Sequence, residues 1–436
     1  MISTKKLTAS QSVTFNSCMN AYVPHEVLVA LWQDEYTKTE PLVYVGQQVE
    51  EGQIIARDSR TLCQIHSPVP GKVEKFSVIS LPNGKTGPCL TIKTEGSFSF
   101  LGRPKKKQQW DFLFADQLIR NLGEKGVVNT FYKPKPLSRE LMQQKLRKEN
   151  RTIFLRLYDL DPTNCTDSFI AKNYMPQILE AMSILAHIVE PSAVYCLYDK
   201  ASNIKEDAAA MNILFNTVPL HFIPVDVSKY PSGGTFDILN LVRHSVKAPQ
   251  ELSISRKDLF IDSMTALSVY EAIVLDQPSM TRFVSVSGEA LAESKIFKVR
   301  IGTPIKNLIA ECGGFCAQPS KILINGRIYG SAISSFDTPV TKYTKSITIL
   351  PKRLLDFLPT SPCIRCGGCR KICKAELQPD KLYTQYMKKM HLSADEMKMT
   401  LLCSECRLCN MVCPSRLPLF QTINEIKKIA ETHYED

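Results

Sequence analysis

In the first hundred residues apolar positions alternate with polar ones and are cut by Gly and Pro. Pro41–Val49 is followed by Gly52-Gln53-Ile54-Ile55-Ala56 and then by Ile65-His66-Ser67-Pro68-Val69-Pro70-Gly71-Lys72-Val73. Two-residue alternation between turn formers predicts a small β-domain over residues 1–100. A polar, basic tract at 101–108 reads as a linker. From about 110 to 280 the period changes. Helical patterns over Ala181–Val189, Asp207–Phe215 and Ala266–Val274 alternate with apolar runs at Ala193–Tyr198 and His221–Val225. That alternation predicts an α/β layer. Strand patterns return over 281–350, at Arg282–Gly288, Phe297–Ile301 and Lys321–Gly330, around one short helix, Ile305–Glu311, closed by Gly313-Gly314. Residues 351–436 are helical and rich in cysteine, with Ser393-Ala394-Asp395-Glu396 reading as a capping box.

The chain has 436 residues, 44% apolar and 22% charged, which fits a globular protein of two to four domains. Its longest central apolar stretch, near Ala181–Val189, is broken by His187 and far too short to span a bilayer. No apolar run follows Met1-Ile2-Ser3-Thr4-Lys5-Lys6, so no signal peptide is expected. A cytosolic protein follows, one that docks to integral subunits if it sits at a membrane. The net charge of +11 is concentrated in Arg103–Lys107 and Lys133–Lys148. Such runs are either solvated linker or a docking surface for an acidic redox protein or anionic lipid. No recognition motif accompanies them, so nucleic acid is not an expected partner.

Fifteen cysteines, an odd number in a cytosolic chain, argue against a disulfide framework. Eight of them form two tracts. Cys363-Ile364-Arg365-Cys366-Gly367-Gly368-Cys369-Arg370-Lys371-Ile372-Cys373 and Cys403-Ser404-Glu405-Cys406-Arg407-Leu408-Cys409-Asn410-Met411-Val412-Cys413-Pro414 both fit C-x2-C-x2-C-x3-C. This is the spacing of two-cluster bacterial ferredoxins, in which the fourth cysteine serves the other cluster. Two [4Fe–4S] clusters are therefore expected. The first takes Cys363, Cys366, Cys369 and Cys413, and the second takes Cys403, Cys406, Cys409 and Cys373. Each fourth cysteine is expected to start a helix leading to the other cluster. Gly367 and Gly368 suit close backbone approach to an inorganic sulfide. Zinc knuckles use pairs of C-x2-C and do not explain two sets of four. Cys18, Cys63, Cys89, Cys165, Cys196, Cys312 and Cys316 are scattered, and most of them read as small buried hydrophobes. His66, with no second His or carboxylate cluster beside it, reads as a structural turn residue.

Val45-Gly46-Gln47 through Gly52-Gln53, followed by Ser67-Pro68-Val69-Pro70-Gly71-Lys72-Val73, resembles lipoyl- and biotinyl-type barrel-sandwich domains. Arg57-Asp58-Ser59-Arg60 lacks the lysine those domains modify, so no swinging arm is expected. Val299–Pro304, Gly313-Gly314, Asn325-Gly326, Gly330 and Asp337–Val340 are similar to a β-grasp, soluble-ligand-binding domain. With Tyr230-Pro231-Ser232-Gly233-Gly234, Leu377, Pro379 and the cysteine tracts, the whole chain resembles RnfC, the peripheral iron–sulfur subunit of Rnf electron-transport complexes. It is also similar to the cluster-free NqrA subunit of the sodium-translocating NADH:quinone reductase. The resemblance implies four parts: a barrel-sandwich hybrid over 1–100; an α/β domain like the flavin subunit of NADH dehydrogenases over 110–280; a β-grasp domain over 281–350; and a helical two-cluster ferredoxin domain over 351–436.

The chain departs from RnfC at the flavin site. The family carries a loop resembling G-G-A-G-F-P-T, whose glycines let backbone N–H groups close on phosphate. Here the region is Gly123–Pro134, and Gly123 and Gly126 read as a helix-end turn. The family's N-G-A-E-C-E-P stands as Leu157–Thr163, where Asp161-Pro162 keeps one acid and the proline. The FMN and NADH pocket therefore reads as degenerate. The expected function is electron relay within a membrane-bound, Rnf-type ion-translocating complex, peripheral on the cytoplasmic side of a bacterial inner membrane. Its expected partners are the other subunits and a ferredoxin or flavodoxin. No side chain is expected to act as acid, base or nucleophile. The alternatives are an NADH-oxidising flavin and iron–sulfur reductase, similar to cobalamin reductases, or a structural subunit of an Nqr-type complex.

Overall fold

The computed structural model describes residues 2–3, 17–32, 38–58, 63–103, 105–147, 151–202, 218–245, 254–352 and 359–434. The helix expected over Asp207–Phe215 and the tip residues Ser59 and Arg60 lie outside the described residues.

In the α/β unit the three strands Thr152–Arg156, Ala193–Asp199 and Leu259–Asp262 are buried on both faces, as parallel strands require, while the edge strand Leu220–Val225 is partly exposed. Leu220–Val225, Ala193–Asp199, Thr152–Arg156 and Leu259–Asp262 lie side by side in that order, all parallel. Ile153, Leu155, Val194, Cys196 and Ile261 face one helical layer built from Ala115–Glu124, Leu137–Leu146, Thr166–Asn173, Met175–Val189 and Ser263–Ile273. Phe154, Tyr195, Leu197 and Phe260 face the helix Thr235–Ser245 on the other side. At roughly 1.5–3 kcal/mol for each fully buried large side chain, these two layers are the main stabiliser of the unit.

The barrel-like N-terminal unit consists of two sheets packed over Val27, Val29, Ile55, Ile65, Val73, Leu90 and Ile92. Its long hairpin, Gly71–Ser80 with Thr86–Thr94, reaches the third unit, where Gly84 lies close to the Ala332 carbonyl. That third unit is a six-stranded sheet, in spatial order Met19–Asn20, Lys295–Arg300, Thr281–Ser287, Ser346–Pro351, Pro319–Ile324 and Ser331–Ile333. Its outer strand Met19–Asn20 comes from the start of the chain. The helix Ile305–Glu311 covers it and ends at left-handed Gly313 and Gly314.

Buried ions tie the units together. Arg300 pairs with Glu51 of the barrel and donates to the Pro68 carbonyl. Lys345 donates to Asp167 and Asp262, each at 2.6 Å. Burial pushes Asp167 up to about 6, while Lys345 and Arg156 hold Asp262 low against the same burial. His66, at the end of a buried strand, is pushed down to about 3 by burial and by Lys342 and Lys125, so it stays neutral inside the barrel. The basic stretch after residue 132 is largely matched by the protein's own acids. Lys133 faces Glu405, Lys145 faces Asp116 and Arg147 faces Asp258, at 3.6, 2.5 and 3.0 Å.

Candidate metal centre

Every cysteine of the first tract has its counterpart forty residues later, and the backbone repeats with them. Arg365 (φ 54°) matches Glu405 (φ 57°), Gly367 (φ 72°) matches Arg407 (φ 58°), and Glu376 (φ 54°) matches Arg416 (φ 54°). Left-handed residues between the first three cysteines curl each chain segment around one side of a space. A short helix, Gly368–Ile372 or Leu408–Met411, then carries the third cysteine. The expectation that the fourth cysteine starts a helix is corrected here. Cys373 and Cys413 follow the ends of these short helices, and the next helices begin only at Pro379 and Leu419. The left-handed turn at Glu376 or Arg416 comes first and sends Leu377 or Leu417 into the core.

The eight thiols gather in two groups of four. Cys363, Cys366, Cys369 and Cys413 line one pocket, closed by Pro414, Leu417 and Leu419. Cys403, Cys406 and Cys373 all lie near enough to Cys409 to raise its thiol, after burial itself. Each group takes three thiols from one motif and one from the other. Among the described residues, no three His, Cys, Asp or Glu side chains are placed to hold a single metal ion. The donor chemistry fits an iron–sulfur core. Burial pushes the Cys403 thiol up to about 11 and also raises that of Cys406. The Glu405 amide donates to Cys403 Sγ at 3.4 Å, the kind of bond that tunes a cluster.

The second group is set into the body of the protein. Tyr230 donates its hydroxyl to the Cys406 carbonyl at 2.7 Å. Arg407 donates to the carbonyls of Ile328, Tyr329 and Gly330 and lies over the rings of Tyr329 and Phe420. Tyr132 donates to Glu405, which Lys427 and Lys133 keep ionised against its burial. Lys374, next to Cys373, pairs with Asp237 at 2.8 Å. Sequence reasoning missed Tyr132, Tyr230, Tyr329 and Arg407 as site residues. Only Tyr230 carried a local signal, as the first residue of a Tyr-Pro turn.

The first group faces outward. Cys363 and Cys366 are exposed, and Ile364 between them is 67% exposed. Outside the two motifs, Cys63, Cys89, Cys196 and Cys312 are buried, as expected of most of these cysteines, while Cys18 and Cys165 are half-buried and Cys316 is exposed.

The segment Gly123–Pro134 packs against other parts of the protein. Gly126 (φ 68°) ends the Ala115–Glu124 helix, and a Cβ there would stand 2.2 Å from the Gln64 carbonyl, so this glycine serves packing on the barrel. The Thr130 and Phe131 amides donate to Thr265 Oγ1 and Asn129 Oδ1, at 2.9 and 3.0 Å. The Phe131 ring lies 4.2 Å from the buried Arg156 guanidinium. Asp161 accepts from Thr163 and from the Ile328 and Tyr329 amides. A Cβ on Gly326 would collide with it at 2.3 Å. The Thr130 and Phe131 amides and the Asp161 carboxylate are thus engaged within the protein. A polar cleft of about 320 Å³ remains beside the loop, lined by Lys133, Asp159, Asp161, Tyr329, Lys345 and Arg407 among others.

Three family models match the chain: an RnfC barrel sandwich hybrid domain over residues 3–97, an SLBB domain over 283–330 and a 4Fe-4S dicluster domain over 362–418. The last makes the C-terminal region an iron–sulfur domain. The C subunit of the proton-translocating ferredoxin:NAD(+) oxidoreductase complex of Clostridium ljungdahlii is 25% identical over 90% of this chain and 84% of its own. The C subunit of the ion-translocating oxidoreductase complex of Rhodobacter capsulatus is 26% identical over 83% and 69%. The chain is a homologue of the C subunit of ion-translocating oxidoreductase complexes. The Yersinia enterocolitica C subunit is likewise 26% identical over 83% of this homologue, but only 52% of the longer Yersinia chain is matched. Among solved structures, the NAD+-reducing [NiFe]-hydrogenase in its air-oxidised state aligns with a TM-score of 0.48 at 10% identity, over 74% of this chain and 62% of that one. Among the described residues no helix of this homologue is long and apolar enough to cross a membrane.

Proposed function

We propose that this protein is an electron-transfer subunit of an Rnf-type ion-translocating oxidoreductase complex, held peripherally on the cytoplasmic side of a bacterial inner membrane by the other subunits. The observation that carries the reading is the pair of four-thiol groups, each completed by a cysteine of the other motif. Cys363, Cys366, Cys369 and Cys413 hold one [4Fe–4S] cluster; Cys403, Cys406, Cys409 and Cys373 hold the other. Bound there, the clusters supply one-electron transfer. The side chains around them fix their positions. Tyr230 and Arg407 lock the Cys406 loop against the body, and Cys403 and Cys409 sit half-buried beside it. No resident flavin is part of this reading: residues 123–134 lack the family's glycine run, and the Thr130 and Phe131 amides and the Asp161 carboxylate have partners within the protein.

Protein purified without oxygen tests it. About eight irons per chain, bleached by dithionite but not by NADH, with no flavin retained through gel filtration, is the expected result. Preparations that assemble no iron and sulfide would overturn it. One observation favours a second reading, an NADH-oxidising flavoprotein: the 320 Å³ polar cleft beside Lys133 and Arg407 is within the size range of cofactor sites. Retained flavin together with bleaching by NADH would select that reading.

A further inference from the structure

The two cysteine motifs match position by position, and one matching pair of residues differs in charge. Arg370 follows Cys369, and its guanidinium donates to both oxygens of Asp380, at 2.7 and 2.8 Å. In the second motif Asn410 follows Cys409, and Phe420 stands at the place of Asp380. The Phe420 amide donates to Asn410 Oδ1 at 2.7 Å. The inner group thus has a neutral link where the outer group has an ion pair. Asp380 lines the outer pocket with Cys363, Cys366, Cys369 and Cys413, and among the described residues lining that pocket it is the one charged side chain. It stands in the first turn of the helix Pro379–Met387, with its amide within reach of the Cys369 thiol. Arg370 lies close enough to Cys363 and Cys369 for their charges to act on it. Arg365 and Arg416 are exposed, so water screens their charge. The Arg370 side chain is 47% exposed and that of Asp380 14%, and so open a pair adds little to the stability of the fold. What the pair changes is the field on the pocket wall. An electron added to an iron–sulfur group held by four thiolates adds negative charge. A bare carboxylate on the wall opposes that step, and a guanidinium bonded to both of its oxygens cancels most of the opposition.

We propose that Arg370 is a positioning residue for electron transfer: by holding and masking Asp380, it keeps the reduction potential of the outer iron–sulfur group above the value that the Asp380 carboxylate alone would give. The proposal rests on the reading of the chain as an electron-transfer subunit. One electron enters the outer group as its donor is oxidised, and no bond or proton changes.

The test is a redox titration of the full-length, oxygen-free protein with dithionite as reductant, followed by electron paramagnetic resonance, with iron and sulfide measured on every sample. The signal lost in Cys413→Ser marks the outer group. Arg370→Gln is expected to shift the outer group's reduction equilibrium at least about threefold toward the oxidised form, about 28 mV at 59 mV per tenfold for one electron. Asp380→Asn is expected to shift it by a similar factor toward the reduced form. Arg370→Gln/Asp380→Asn should return to within about twofold of the unaltered protein, because the two groups act on each other. The inner group should stay within about twofold in all three variants. A purely structural role for the pair predicts a different pattern: both single variants would move the potential the same way, and the double variant at least as far. That pattern, or single variants that leave the potential where it was, would overturn the proposal. If Arg370→Gln lowers the iron content, Asp380→Asn alone decides, and a fall or no change in potential would overturn the proposal. Absence of iron and sulfide from the unaltered protein would instead overturn the electron-transfer reading, so the two failures are separable.

Discussion

The outer and inner thiol groups are near copies in sequence and backbone, yet they live in different surroundings. At the inner loop Glu405 and Arg407 are gripped by Tyr132, Lys427 and a run of three carbonyls; at the outer loop Arg365 and Gly367 touch little. The lesson is that cysteine spacing shapes the cradle, while the residues between the cysteines decide which way it faces.

Removing the crossing thiols is the most severe test of this contrast. Cys413→Ser is expected to strip the outer group and Cys373→Ser the inner one, each leaving about half the iron and one of two electron paramagnetic resonance signals. Loss of the same signal in both would break the crossed assignment. Chelation under oxidant should come next in size. Iron release should be biphasic, the outer group's share leaving first because Cys363 and Cys366 are exposed. A single phase would mean that burial does not protect the inner group. Arg407→Ala removes the donor from three carbonyls and should cost about 3 kcal/mol of local stability, read as faster hydrogen exchange over residues 403–411. Arg365→Ala at the matching loop should change exchange by less than about 0.5 kcal/mol. The smallest effect is expected from Gly367→Ala. A Cβ there has nothing within 4 Å, and its counterpart Arg407 already carries a side chain at φ 58°, so about 1 kcal/mol of backbone strain is the whole cost.

The cysteine motifs were legible because their chemistry is written in local spacing. The capping box was legible for the same reason: Ser393 and Glu396 exchange the two reciprocal bonds expected, at 3.2 and 3.0 Å. Helix Ile305–Glu311 and the buried strand at Ala193 also followed from periodicity. What the sequence did not disclose depends on contacts between distant segments. Tyr132 meets Glu405 across 273 residues and Tyr230 meets Cys406 across 176, and nothing in local composition marks such pairs. The helix expected at each fourth cysteine failed because Glu376 and Arg416 adopt left-handed backbone, which residue identity alone does not announce.

The bond from Tyr230 to the Cys406 carbonyl ties the inner loop to a segment 176 residues earlier in the chain. With Arg407 held by the carbonyls of residues 328–330, the inner loop takes its place from parts of the chain outside its own motif, so a change in Tyr230 or in that turn would reach the inner thiols without touching a cysteine. The outer loop, with Cys363 and Cys366 exposed, has no such tether among the described residues.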